Sequence, residues 1–116
     1  VKLTDAVKQL GNMAGLISGL IEHDFERIGK SLQDVIVEPV RSILIPFYHQ
    51  MRTLALEKGA LGLSISGSGP SMFCFIKEVG ASDEIIDAAR ALYGTHEIEV
   101  ISFVSGINKQ GAKIIE

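Results

Sequence analysis

The sequence predicts one α+β domain, in which N-terminal helices are followed by a four-stranded antiparallel sheet with helices on one face. Three observations lead to this prediction. The chain has 116 residues, enough for one domain and too few for two of ordinary size. Apolar residues recur at helical spacing through the first half of the chain. Through much of the second half they alternate with small or polar residues, as strands do.

The first half of the chain predicts three helices. Apolar residues between positions 3 and 21 alternate spacings of four and three, which is the stripe of an amphipathic helix. A short second helix is predicted over 25–32. A third is predicted after Pro46, with Gly59 just beyond its end.

The second half predicts strands around one helix. Period-two alternation predicts a first strand over 61–65, and the apolar segment after the SGSGP loop predicts a second over 72–76. A helix is predicted from Ser82 to Gly94, because serine favours a helix start and acidic residues follow it. Two more strands are predicted over 97–104 and 112–115, which gives the sheet of four.

Three glycines recur at every fourth position of the first helix: Gly11, Gly15 and Gly19. Each glycine costs about 1 kcal/mol in a helix interior. Close packing against a neighbouring element is the simplest reason to keep them there. The same face leaves a homodimer open as a hypothesis.

The composition excludes several kinds of partner. A net charge of −3 without a basic patch argues against nucleic acid. A hydrophobic fraction of 47% and a charged fraction of 22% are ordinary for a soluble protein. No stretch resembles a signal peptide or a membrane-spanning helix, so no membrane partner is expected. The single cysteine, Cys74, cannot form an internal disulfide, which fits a cytoplasmic location.

The histidines and the cysteine, which are common catalytic residues, have no catalytic or metal-binding partners at a recognisable spacing in the sequence. His23, His49 and His96 stand at no spacing that indicates a triad or a metal site. Cys74 lies in an apolar run and is best interpreted as a small core residue. The sequence therefore predicts no metal site and identifies no catalytic residue.

The loop SGSGP, between the first two predicted strands, is the first unusual feature. Glycine allows positive φ, and successive free N–H groups form a concave site for an anion. The loop is not a Walker motif, because no Gly-Lys-Ser/Thr follows, and its Gly67-x-Gly69 spacing does not lead into a helix. Two interpretations stay open, a tight connector and an anion-binding loop.

The second unusual feature is the segment DVIVEPVRSILIP, which holds Glu38 and Arg41 among apolar residues. An arginine in such a place is most often half of a structural ion pair. The alternative is that its planar guanidinium binds a carboxylate or a phosphate.

Four stretches of the sequence together resemble the GHMP group of small-molecule kinases, and within it the C-terminal part of the homoserine kinases. They are GNMAGLISGL, DVIVEPVRSILIP, GALGLSISGSGPSMF and GAKIIE, and they extend over nearly the whole chain. The SGSGP loop is similar to the third conserved motif of the group. The EPxR segment points to homoserine kinases within it.

The resemblance implies a transferase that moves the γ-phosphoryl group of ATP, bound with Mg²⁺, to the side-chain hydroxyl of L-homoserine in threonine biosynthesis. Arg41 matches the arginine that is expected to bind the carboxylate of the amino acid. The loop that lines the active-site cleft and supports the phosphate-binding loop is matched by Ser66, Gly67, Ser68 and Gly69. Phosphoryl transfer depends mainly on positioning and charge stabilisation, so an obvious side-chain base is not required.

The sequence also departs from the complete pattern of the group. GHMP kinases carry an ATP-binding motif similar to PxSSGLGSSA in an N-terminal domain, and these 116 residues contain no such motif. The first residue is Val1 rather than methionine. We therefore expect residues 1–116 to be the C-terminal domain of a longer kinase, whose N-terminal domain binds most of the ATP and Mg²⁺. The chain alone is expected to be inactive.

Two other functions fit the same pattern. One is another GHMP kinase, which would keep the glycine loop but would not need the carboxylate-binding EPxR segment. The other is a non-catalytic, ferredoxin-like domain for ligand binding or oligomerisation. Arg41 distinguishes them: in such a module it should form a peripheral ion pair, whereas in the kinase it should face the cleft beside the glycine loop.

Overall fold

The computed structural model describes residues 1–115 and confirms the α+β class. Glu116, the last residue of the GAKIIE stretch, lies outside the described residues. A short 3-10 turn, Ser42–Leu44, follows the third helix. The helices are α1 (Leu3–Glu22), α2 (Phe25–Ser31), α3 (Glu38–Arg41), α4 (Tyr48–Glu57) and α5 (Ala81–Gly94), and the strands are β1 (Ala60–Ile65) and β2 (Met72–Ile76).

Helices α1 and α2 form a close antiparallel pair. A Cβ atom added at Gly19 would lie 3.0 Å from Cγ1 of Ile28, and one added at Gly15 would collide with the hydroxyl of Ser31. Close packing therefore explains two of the three glycines in α1. It does not explain Gly11, which has open space where a side chain would begin.

The two strands form an antiparallel hairpin, in which Leu63 pairs with Cys74 and Ile65 pairs with Met72. These four side chains share one face of the hairpin, because residues directly opposite each other point to the same side. That face packs against α4 and α5. The buried residues of this core are Ile45, Tyr48, Met51, Ala55, Ala60, Leu63, Ile85 and Tyr93.

The opposite face of the hairpin is also covered, so the prediction that the helices lie on one face is wrong. A Cβ atom added at Gly62 would lie 2.9 Å from Cδ2 of Leu32, at the end of α2. On the same face, Ser64 donates a hydrogen bond to Glu38 of α3. The small residues of β1 on this face therefore leave room for other elements that approach them closely.

The prediction of a four-stranded sheet is not confirmed, because the described residues form a sheet of two strands. Neither 97–104 nor 112–115 forms a strand, and the described residues after Gly94 contain no regular element. Their apolar side chains are largely exposed, with Phe103 at 92% and Ile114 at 95%. Alternation predicts a half-buried strand, but a strand exists only where a neighbouring backbone pairs with it. The segment near Phe103 instead lines an apolar cleft of about 350 Å³ beside β2 and α5.

Candidate functional site

The glycine loop, residues Ser66–Gly69, connects β1 to β2 as a tight turn. The Ser66 N–H donates to the carbonyl of Ser71 at 2.8 Å, and the Gly69 N–H donates to the carbonyl of Ser66 at 3.1 Å. Both glycines of the loop have positive φ, +61° at Gly67 and +78° at Gly69. Glycine adopts such positive φ values at little cost in free energy, because it has no Cβ atom.

Two adjacent N–H groups of the glycine loop are left open. Neither Gly67 nor Ser68 donates its backbone N–H to an acceptor within residues 1–115, and both residues are exposed. Consecutive N–H groups in a turn with a left-handed residue are the usual backbone site for an anion. The geometry of the loop therefore fits the anion-binding interpretation as well as that of a connector.

The α3 segment starts from a capped turn. The carboxylate of Asp34 accepts the backbone N–H groups of Ile36 at 2.8 Å and Val37 at 2.7 Å. Proline occupies the first turn of α3, where a missing N–H costs nothing. This short helix was not predicted from the sequence, which took Pro39 for a boundary.

Arg41 ends α3 and is exposed. Its guanidinium forms no ion pair with a carboxylate of residues 1–115. The peripheral ion pair expected for a non-catalytic module is therefore not formed within the described chain. The five donors of the guanidinium stay available to a ligand.

Glu38, at the start of α3, is the opposite case: only 8% of its surface is exposed. Its Oε2 atom accepts the Ser64 hydroxyl at 3.4 Å, and its Oε1 atom lies 3.9 Å from Nη1 of Arg52 in α4. The hydroxyl of Tyr48 is buried nearby. Burial, and next the negative charge of Glu38, raise the pKa of Tyr48 well above its usual range.

The structure therefore brings the two sequence-predicted features together through residues other than Arg41. Ile45, at the end of the EPVRSILI stretch, lies under the loop, so that a Cβ atom added at Gly69 would be 3.0 Å from its Cδ1 atom. Glu38 contacts Ser64, which lies two residues before the start of the loop. Sequence reasoning missed Ser64, Tyr48 and Arg52 as members of this region. The charge of Glu38 within an apolar run was the only signal available.

The other candidates of the sequence have different surroundings: the ring of His49 lies 5.4 Å from that of Tyr48. His96 stacks on Phe47 with ring centroids 4.0 Å apart. Cys74 is half-buried in the core face of β2, where burial raises the pKa of its thiol. Within residues 1–115 no three His, Cys, Asp or Glu side chains are grouped so that they could hold a metal ion. No helix in the same range is long and apolar enough to cross a membrane.

Comparison with known proteins defines the class. The family described as "GHMP kinases C terminal" matches residues 16–95, which include α2 to α4, the hairpin and the glycine loop. The chain therefore belongs to the GHMP kinase C-terminal family.

Individual relatives indicate a narrower group within this family. Homoserine kinase of Chlorobium phaeobacteroides is 43% identical over 99% of this chain, and homoserine kinase of Chloroherpeton thalassium is 37% identical over 99% of it. The crystal structure of homoserine kinase from Cytophaga hutchinsonii is similar with a TM-score of 0.89 and 44% identity, again over 99% of the chain. The chain spans only 37%, 36% and 36% of the lengths of these three proteins, in the same order.

Proposed function

We propose that this chain is the C-terminal part of a homoserine kinase, which transfers the γ-phosphoryl group of ATP to the hydroxyl of L-homoserine and gives O-phospho-L-homoserine for threonine biosynthesis. The observation that carries the proposal is the similarity to homoserine kinases over 99% of the chain, at 43% identity in sequence and 44% in a solved structure. That the relatives compared are homoserine kinases favours this function over that of another GHMP kinase.

Arg41 binds the carboxylate of L-homoserine in this proposal. Support comes from its exposed guanidinium, which has no carboxylate partner within residues 1–115. An arginine without a partner keeps the two parallel donors that match a carboxylate. The same observation counts against a non-catalytic module with a peripheral ion pair.

The glycine loop contributes charge stabilisation. During transfer the homoserine hydroxyl oxygen forms a bond to the γ-phosphorus and its proton is released, the bond to the ADP oxygen breaks, and negative charge lies on the phosphoryl oxygens. The open N–H groups of Gly67 and Ser68 are donors of the kind that stabilise such oxygens. Ser66 and Gly69 hold the turn closed through their own backbone hydrogen bonds.

ATP and Mg²⁺ fit only in part the residues that the structure describes. The two open N–H groups suit a phosphoryl group, but within residues 1–115 no three His, Cys, Asp or Glu side chains are grouped so that they could hold a metal ion. Mg²⁺, when bound, would supply positive charge that neutralises the phosphate groups. We propose that a preceding N-terminal domain of a longer, cytoplasmic enzyme supplies most of the contacts to both, and that residues 1–116 form the C-terminal domain.

Two structural expectations belong to the same proposal. In the complete kinase, 97–104 and 112–115 join the hairpin as strands of a four-stranded, ferredoxin-like sheet, which would bury side chains such as Phe103. The exposed apolar residues of α1, among them Leu10 at 71% and Ile21 at 73%, are the place to look for a homodimer contact.

The direct test is a substrate comparison on the full-length protein. ADP release with Mg-ATP would be followed with L-homoserine, and with serine, threonine and mevalonate as controls. The proposal requires turnover that depends on L-homoserine and is far slower with the other three. No turnover with any of the four would overturn it.

The 116-residue chain alone gives a second test. It should bind ATP very weakly and transfer no phosphoryl group, because the glycine loop offers only two open N–H groups to a phosphate and we propose that the N-terminal domain supplies most of the contacts. A calorimetric titration with Mg-ATP measures this. A tight, saturable isotherm would contradict the proposed division between the two domains.

A further inference from the structure

A single buried carboxylate joins three elements around the proposed site. Glu38 belongs to α3, its Oε2 atom accepts the Ser64 hydroxyl of β1 at 3.4 Å, and its Oε1 atom lies 3.9 Å from Nη1 of Arg52 in α4. The two oxygens therefore face different elements. Ser64 is the penultimate residue of β1, so the glycine loop begins two residues after this contact.

The cluster around Glu38 is costly to bury. A carboxylate that leaves water needs partners to compensate, and breaking such a pair is usually more harmful than replacing it with apolar groups. The compensation here is incomplete, because Nε of Arg52 is buried without a hydrogen-bond partner among residues 1–115. Stability alone would favour an apolar cluster of the same size, so a different role for Glu38 has to be considered.

The position of Arg41 suggests that role. It follows Glu38 by one helical turn, in the same short helix. Beyond Arg41, the segment contacts the glycine loop itself, where Ile45 lies against Gly69. The segment is thus fastened to the loop and its strand on both sides of Arg41.

We propose that Glu38 is a positioning residue, which holds the α3 segment against β1 and α4 so that Arg41 and the glycine loop keep one fixed relation. The inference rests on the proposed function for its kinetic consequence, because it assigns Glu38 an action on homoserine through Arg41. The structural contact between Glu38 and Ser64 does not depend on the proposed function.

The kinetic test is a double-mutant cycle in the full-length protein. Glu38→Gln should lower kcat/KM for L-homoserine about tenfold, since one charged hydrogen-bonding partner is lost. The KM for ATP should change by less than about twofold. In the Arg41→Ala background the same substitution should cost less than about twofold, because residues that act through one another are not additive. Glu57→Gln, at an exposed position of α4, is the matched control and should change neither parameter.

A second variant and a second measurement keep the proposal testable if Glu38→Gln does not fold or if the protein shows no kinase activity. Ser64→Ala removes only the donor to Glu38 and should reproduce part of the effect. Hydrogen exchange of the Ser66 and Gly69 amides, both bonded within the loop, should become several-fold faster in Glu38→Gln and Ser64→Ala. Amides of the α1–α2 pair should keep their rates.

Each outcome decides the proposal. Non-additive losses together with faster exchange in the loop support it. Equal losses in the wild-type and Arg41→Ala backgrounds overturn it, because Glu38 would then stabilise the fold in general. If the wild-type protein does not use homoserine, the proposed function fails, and the exchange measurement decides alone: unchanged rates at Ser66 and Gly69 would overturn the tie as well.

Discussion

Gly69 and Ile45 approach each other so closely that a Cβ atom added to Gly69 would lie 3.0 Å from Cδ1 of Ile45. Gly69 also has φ of +78°, a value that side-chain-bearing residues rarely adopt. Glycine is therefore required at this position for two separate reasons. The loop must turn, and its backbone must also leave room for the end of the segment that carries Arg41.

Gly69→Ala should destabilise the protein more than Gly67→Ala does. At Gly67 only the left-handed backbone is strained, since nothing lies within 4 Å of an added Cβ atom, and we expect a cost of about 1 kcal/mol. At Gly69 the contact with Ile45 adds to that strain, and we expect about 3 kcal/mol in total. Urea unfolding of both variants measures the difference. Ile45→Val, which removes the Cδ1 atom, should reduce the cost at Gly69, and equal costs for the two alanine variants would contradict the role of this contact.

Local patterns predicted the helices and the hairpin well. The apolar stripe of α1 and the alternation in β1 depend only on neighbours along the chain, so the sequence displays them. The short helix α3 was missed because a single turn has no measurable periodicity, and proline suits both a boundary and a first turn.

The errors concern contacts between distant residues. The sequence gives no sign that Gly62 and Ser64 lie under Leu32 and Glu38, because small residues in a strand are typical of both solvent and close approach. Alternation in 97–104 likewise says nothing about whether a neighbouring backbone is available. The same holds for the candidate site. The glycine loop and Arg41 could be identified from the local sequence, whereas Tyr48 and Arg52 join the site only because the fold brings them near Glu38.

The two tyrosines of the chain provide a matched comparison of buried hydroxyl groups. The Tyr93 hydroxyl donates to the carbonyl of Pro46 at 2.8 Å, whereas the Tyr48 hydroxyl has no hydrogen-bond partner among residues 1–115. Tyr93→Phe should therefore lower the free energy of unfolding by about 1–2 kcal/mol. Tyr48→Phe should cost less than about 0.5 kcal/mol or stabilise the protein, because it removes an uncompensated polar group. Thermal or urea unfolding measures both, and a larger loss at Tyr48 would show that its hydroxyl has a partner.

Alkaline pH should destabilise the folded chain through the same groups. Burial raises the pKa of Tyr48, with the charge of Glu38 acting in the same direction, and burial raises the pKa of Tyr93 and of Cys74. A thiol or phenol of raised folded-state pKa stays protonated in the folded protein after the unfolded chain has lost its proton. Their contribution to stability is therefore complete below about pH 8 and is lost as the pH rises through about 8.5 for the thiol and 10 for the phenols.

Urea unfolding at pH 7.5 and pH 10.5 tests this dependence. Tyr48→Phe and Cys74→Ala should each lose less stability between the two values than the wild-type protein loses. A wild-type stability that is the same at both values would contradict the assigned shifts.

The central claim is that Arg41 binds the carboxylate of L-homoserine, and steady-state kinetics of Arg41→Ala in the full-length protein test it most directly. The account predicts that kcat/KM for L-homoserine falls by an amount worth about 2–4 kcal/mol, mainly through KM, while KM for ATP hardly changes. Arg90→Ala, at an exposed position of α5, should behave as the wild type. An equal effect of Arg41→Ala on both substrates, or no effect on either, would contradict the account.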